Sequence, residues 1–228
     1  TVEAGRPDTI TADKLSVLHA HAVRRLSVNP QTMSDSVLQA IGRRHTSEDI
    51  EGTMSLVRAM GVFEVNMDLI AGLQTDTAEG FAASLGRVMA FEPENITVHT
   101  LAVKRGSRLH LEGAELPPAA EVEKMLSGAM SALSGAGYSP YYLYRQKYMS
   151  GGFENVGWTR PGFASLYNIC IMEELRSIIS MGAGGSTKLI APGGRLERHF
   201  APKYPGEYIA AIDRVCADKE RIVEFHGV

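Results

Sequence analysis

Along the first hundred positions, short apolar runs end in polar turns and lead into stretches where apolar residues recur at helical spacing. The pattern predicts strands at 1–4, 25–28, 65–70 and 96–101, the second running out through Asn29-Pro30-Gln31 and the third closed by Gly72. Between them it predicts helices over about 11–21, 34–41, 47–60 and 77–90, with Thr11 or Asp13 at the first cap and Gly61 where a C-terminal cap belongs. Strands alternating with helices imply a parallel sheet, and this number of units fits a barrel or part of one. Thr1-Val2-Glu3-Ala4 reads as a strand already in progress, so the chain is expected to be cut from a longer one.

From Val103 the pattern changes. Lys104-Arg105-Gly106-Ser107-Arg108 is a basic loop, 112–118 is turn-rich, and 119–136 is an amphipathic helix. An aromatic-basic strand is expected over 141–148, an apolar element over 169–181 and a helix over 204–221. The expected division is a barrel part at 1–111 and an α+β domain at 112–228.

Composition narrows the function classes. The 228 residues are 44% hydrophobic and 21% charged, the balance of an ordinary globular protein. A formal charge of -3 argues against a nucleic-acid partner. No apolar run approaches the roughly 20 residues that span a bilayer. The 2 cysteines, Cys170 and Cys216, are far apart, which predicts a reducing, cytoplasmic compartment and no disulfide framework. They cannot supply the several thiolates of an iron–sulfur cluster.

Candidate chemistry gathers at the expected strand ends, where the active sites of such barrels lie. They carry Glu3, Gln31, Asp68 and the run from His99 to Ala102. Glu3 and Asp68 could form a general acid/base pair or hold the hydroxyls and amine of a nucleoside-type ligand. Gln31 both donates and accepts. Arg43, in the helical stretch after the second strand, could grip a carboxylate bidentately or lie on a solvated helix face. His99 suits a site or a satisfied core. His19 and His21, two apart on a helix, do not share a face and are poor joint metal ligands. Gly182-Ala183-Gly184-Gly185-Ser186 lacks the Lys-Ser/Thr of a phosphate loop and reads better as a close-approach turn. The tyrosines at 141, 142, 144 and 148 fit a strand with one aromatic face on the core; Arg145, Gln146 and Lys147 beside them could meet an acidic substrate.

Several segments together resemble one family: 1–10, 25–33, Asn66-Met67-Asp68-Leu69-Ile70-Ala71-Gly72-Leu73, Tyr142-Leu143-Tyr144-Arg145-Gln146-Lys147, Glu154-Asn155-Val156-Gly157-Trp158, and Met181-Gly182-Ala183-Gly184. They are similar to the oxygen-independent coproporphyrinogen III oxidase-like group of radical SAM proteins, and within it to the coproporphyrinogen dehydrogenase branch. The resemblance implies a partial (β/α)6 barrel, of which this chain holds the last four strands, with a C-terminal α+β domain. It implies S-adenosylmethionine contacts from Glu3, Gln31, Arg43 and Asp68, with backbone near Ile70 and Ala102 lining the pocket. Arg145 and Lys147 become candidates for the substrate's propionates, as Arg105 and Arg108 are. The implied reaction converts propionates of coproporphyrinogen III to vinyl groups, with an electron donor to reduce a [4Fe-4S] cluster. The family's Cys-x-x-x-Cys-x-x-Cys motif is absent from this sequence, so the isolated chain is expected to be inactive. Two other readings stand beside this one: a heme chaperone, as some relatives in the group are, and a barrel module without chemistry.

Overall fold

The computed structural model describes residues 1–103, 116–145, 152–191 and 193–226. The chain forms two compact units, Thr1–Ala164 and Ser165–Val228. In the first, strands β1 (Val2–Gly5), β2 (Arg25–Gln31), β3 (Glu64–Ala71) and β4 (Asn95–Thr100) pair in parallel and in chain order. Helices α1 (Ala12–Ala20), α2 (Asp35–Ala40), α3 (Ser47–Met60) and α4 (Ala78–Ala90) connect them. This is the α/β partial barrel expected from the pattern. After α5 (Ala119–Gly135), strands β5 (Ser139–Tyr144) and β6 (Asn155–Thr159) extend the same sheet antiparallel, in the order β1-β2-β3-β4-β6-β5.

Local chemistry explains the boundaries. Thr46 and Asp49 form a reciprocal capping box at the start of α3, and Gly61 ends it in the left-handed conformation, at φ 63. Ile50, Met54 and Val57 face the core at helical spacing. Along β3 the alternation is strict: Val65, Met67, Leu69 and Ala71 are fully buried beneath helices, while Asn66, Asp68 and Ile70 point to the other face. Burying each of the larger side chains contributes about 1.5–3 kcal/mol. The sheet is thus apolar towards the helices and polar on its inner face.

The second unit holds α6 (Leu166–Met172), an antiparallel hairpin of β7 (Ser186–Ile190) and β8 (Leu196–Phe200), and helices α7 (Pro205–Ala210) and α8 (Ile212–His226). The apolar element expected over 169–181 stops at Met172. Leu175 N–H folds back to the Cys170 carbonyl, Glu174 takes a positive φ of 55, and Ile178 bridges to Lys188. The helix expected over 204–221 is two, broken at Ala211. In the glycine run, Gly184 N–H donates to the Pro202 carbonyl at 2.8 Å, so the run turns against its own chain.

Candidate binding site at the strand ends

Gln31 ends β2 with φ 69, an uncommon conformation for a residue with a side chain, at a point where the β2–β3 register shifts. It is buried, and it lines a cavity of ≈ 320 Å³ with Asp68, Ile70, His99, Ala102 and Tyr144. Four of the six residues expected to hold a cofactor, Gln31, Asp68, Ile70 and Ala102, therefore meet at one cavity. Backbone strain at such a position marks a candidate functional residue.

Glu3 and Arg43 do not line this cavity. The Glu3 carboxylate accepts from Ser27 Oγ at 3.0 Å and from Asn29 Nδ2 at 3.5 Å. Arg43 lies in the α2–α3 connection and not on a helix: α2 has ended at Ala40, and Arg43 N–H closes the turn by donating to the Leu38 carbonyl. Burial, and then the neighbouring Arg6 charge, lower the Arg43 guanidinium from its ordinary value, with Asp8 opposing. His45, two residues on, was not singled out by sequence. Its side chain is buried, its Nε2 has no partner among the described residues, and burial followed by the Arg43 charge lowers its pKa. Its hydrogen bond to the Pro30 backbone ties it to the residue before Gln31.

The inner face carries a hydrogen-bonded network. Asn66 Nδ2 donates to Asp68 Oδ1 at 2.8 Å and to Ser27 Oγ at 3.3 Å, and Thr97 Oγ1 donates to Asn66 Oδ1 at 3.0 Å. Asp68 Oδ2 lies 3.5 Å from His99 Nε2, and His99 Nδ1 lies 3.4 Å from the Tyr144 hydroxyl. The Tyr142 hydroxyl is 3.3 Å from Thr97 Oγ1, and burial raises its pKa. Ser27, Asn66 and Thr97 escaped the sequence reading because it sought chemistry at strand ends. Their signal was present as polar positions alternating with apolar ones on neighbouring strands.

Arg145 pairs with Glu154 at 3.1 Å and is largely exposed. Lys147, Arg105 and Arg108 lie outside the described residues. Cys170 and Cys216 both belong to the second unit and do not supply the ligand set of a [4Fe-4S] cluster. The cavity does fit a nucleoside: its volume is in the ordinary range for small-molecule sites, and it sets a carboxylate and a carboxamide beside apolar wall.

The four parallel strands, with a polar inner face and a cavity at their ends, form a partial barrel with a candidate small-molecule site. No protein-family model matches the chain. A Bacillus subtilis (strain 168) protein described as "Oxygen-independent coproporphyrinogen-III oxidase-like protein HemZ" is 42% identical over 227 residues, covering 98% of this chain and 45% of that protein. The "Heme chaperone HemW" of Haemophilus influenzae is 23% identical over 209 residues, covering 92% of this chain and 51% of that protein. The solved coproporphyrinogen III oxidase HemN from Escherichia coli, described as a radical SAM enzyme, shares the fold with a TM-score of 0.68 at 20% identity, over 92% of this chain and 48% of that one. Over nearly its whole length the chain is related to the oxygen-independent coproporphyrinogen-III oxidase-like proteins, and it shares the fold of HemN. It spans about half the length of the relatives it matches.

Proposed function

We propose that this chain carries the S-adenosylmethionine-binding wall of an enzyme that oxidatively decarboxylates propionates of coproporphyrinogen III to vinyl groups, giving protoporphyrinogen IX. The observation that carries the reading is the meeting of Gln31, Asp68, Ile70 and Ala102 at one cavity, in a chain 42% identical to a protein described as coproporphyrinogen-III oxidase-like. When bound, S-adenosylmethionine is the source of the hydrogen-abstracting carbon radical. Asp68 holds hydroxyl or amine groups of that ligand with the carboxylate oxygen that faces His99. Gln31, at the strand end in its left-handed conformation, donates and accepts beside it, and Ile70 and Ala102 exclude water. Glu3 and Arg43 complete the ligand's polar contacts from outside the cavity. Arg145 and Lys147 are assigned to the substrate's propionates. The reading also requires an electron donor and a [4Fe-4S] cluster, whose ligand set this chain's two cysteines do not supply. Its two free cysteines fit the cytoplasm; among the described residues no helix is long and apolar enough to cross a membrane.

A heme-chaperone role is the second reading, favoured by the 23% identity to HemW over most of this chain. The full-length protein, reconstituted anaerobically with S-adenosylmethionine and a reductant, separates the two. Substrate-dependent 5′-deoxyadenosine together with protoporphyrinogen is the expected result. Cleavage without porphyrin turnover, with stoichiometric heme binding by absorbance, would overturn it in favour of the chaperone.

A further inference from the structure

We propose that Asn66 and Tyr142, neither of which lines the cavity, are positioning residues that orient the carboxylates of Asp68 and Glu3. For the identity of the ligand alone, this rests on the S-adenosylmethionine reading above.

The donors fix the direction of the network. Thr97 has one hydroxyl proton, and it goes to Asn66 Oδ1 at 3.0 Å. The 3.3 Å contact between Thr97 Oγ1 and the Tyr142 hydroxyl is therefore donated by the tyrosine. With its oxygen engaged, Asn66 turns its amide protons the other way, to Asp68 Oδ1 at 2.8 Å and Ser27 Oγ at 3.3 Å. Ser27 passes its own proton to Glu3 Oε1 at 3.0 Å. One phenol thus sets one amide, and that amide serves both carboxylates, on strands separated by β2. Asp68 Oδ1 is held, which leaves Oδ2, 3.5 Å from His99, for the cavity.

The phenol is itself held in place. Gly157 on β6 faces Tyr142, and a Cβ at 157 would lie 1.9 Å from Tyr142 Cε1, so the ring rests against bare backbone. Tyr142 stacks on Tyr144 with ring centroids 6.3 Å apart and meets Tyr141 edge-on at 4.7 Å. A purely structural role, in which inward polar groups satisfy one another, predicts no effect on ligand affinity when the chain is broken at its far end.

The test uses Tyr142→Phe, which keeps the ring, and Asn66→Asp, which keeps the shape. In this chain, nitrogen-edited NMR follows exchange of the Asn66 side-chain amide protons. In the full-length protein loaded with its cluster, calorimetry without reductant follows S-adenosylmethionine binding. Tyr142→Phe is expected to speed amide exchange about tenfold and weaken binding roughly three- to tenfold, the loss of one hydrogen bond in the relay. Asn66→Asp places a further carboxylate among Glu3, Asp68 and Tyr142, with His99 beyond Asp68. Relative to the unaltered protein its affinity should fall at least about thirtyfold at pH 8, and the deficit should shrink at pH 5.5 as the new carboxyl regains a proton to donate. Unchanged exchange and binding in Tyr142→Phe would overturn the positioning role, as would an Asn66→Asp deficit equal at both pH values. If the unaltered protein binds no S-adenosylmethionine while exchange responds as expected, the cofactor reading fails and the relay to the carboxylates stands.

Discussion

Replacing Gly157 by alanine should damage the barrel's inner face out of proportion to one methyl group. The added Cβ would stand 1.9 Å from Tyr142 Cε1 and 2.5 Å from Cδ1 and Cζ, and Tyr142 is 8% exposed with little room to retreat. Forcing a ring out of a packed position costs about 1–3 kcal/mol. The displaced phenol also loses its contact with Thr97, about 0.5–1.5 kcal/mol more. Together these give about 1.5–4.5 kcal/mol, or about 3–18 °C in melting temperature at about 2–4 °C per kcal/mol for a chain of this size. Near-ultraviolet circular dichroism reads both the melt and the tyrosine environment. In a Tyr142→Ala background the methyl meets no ring, and the same change should cost under about 0.5 kcal/mol, a strong coupling in the double-mutant cycle. A Gly157→Ala melt within about 1 °C of the unaltered chain, or additive effects in the cycle, would refute the reasoning.

Other predictions follow from the charged and titratable groups. Burial raises the Asp76 carboxyl above the ordinary aspartate range, against the opposing Thr77 N–H, and its Oδ2 has no partner among the described residues. Its contribution to stability is therefore complete below that range and lost as pH rises through the raised value, so Asp76→Asn should raise the melting temperature at pH 8 and progressively less towards pH 4; an equal gain at both would contradict this. Burial likewise raises the Tyr142 phenol, whose contribution holds below the ordinary tyrosine range and fades only above it. In a spectrophotometric titration of the native chain, Tyr142→Phe should remove a late-ionising tyrosine and leave the early phase unchanged. Glu94 accepts from Arg58 Nη1 through both oxygens, at 3.1 and 3.2 Å, and from Val65 N–H at 2.7 Å. Glu94→Gln should cost about 1.5–3 kcal/mol in chemical denaturation, the value of hydrogen bonds to a charged group, and a loss under about 0.5 kcal/mol would show the pair to be idle.

The parallel strands and their helices were legible because local signals agree there. The Thr46–Asp49 box, the Gly61 cap and the alternation of β3 each name their element without tertiary information. β6 was not legible: it is only five residues long with Gly157 at its centre and drew no assignment from the pattern, and that glycine is explained by the Tyr142 ring lying against it. The β7–β8 hairpin follows a glycine-rich run and is followed by helices, so neither periodicity nor length announced it. The element expected over 169–181 ran too long because its apolar residues continue past Met172, where the backbone turns through Glu174. At the site, sequence could mark Glu3, Gln31 and Asp68 by type and place. It could not show that Asn66 serves two of them, since that depends on the strand register.

The most direct test of the account is a crystal structure of the full-length protein with S-adenosylmethionine bound. The account predicts the adenosyl group in the cavity bounded by Gln31, Asp68, Ile70 and Ala102, with Asp68 Oδ2 in contact with it and Oδ1 still held by Asn66. Density for the ligand elsewhere, with that cavity filled by side chains or solvent, would contradict it.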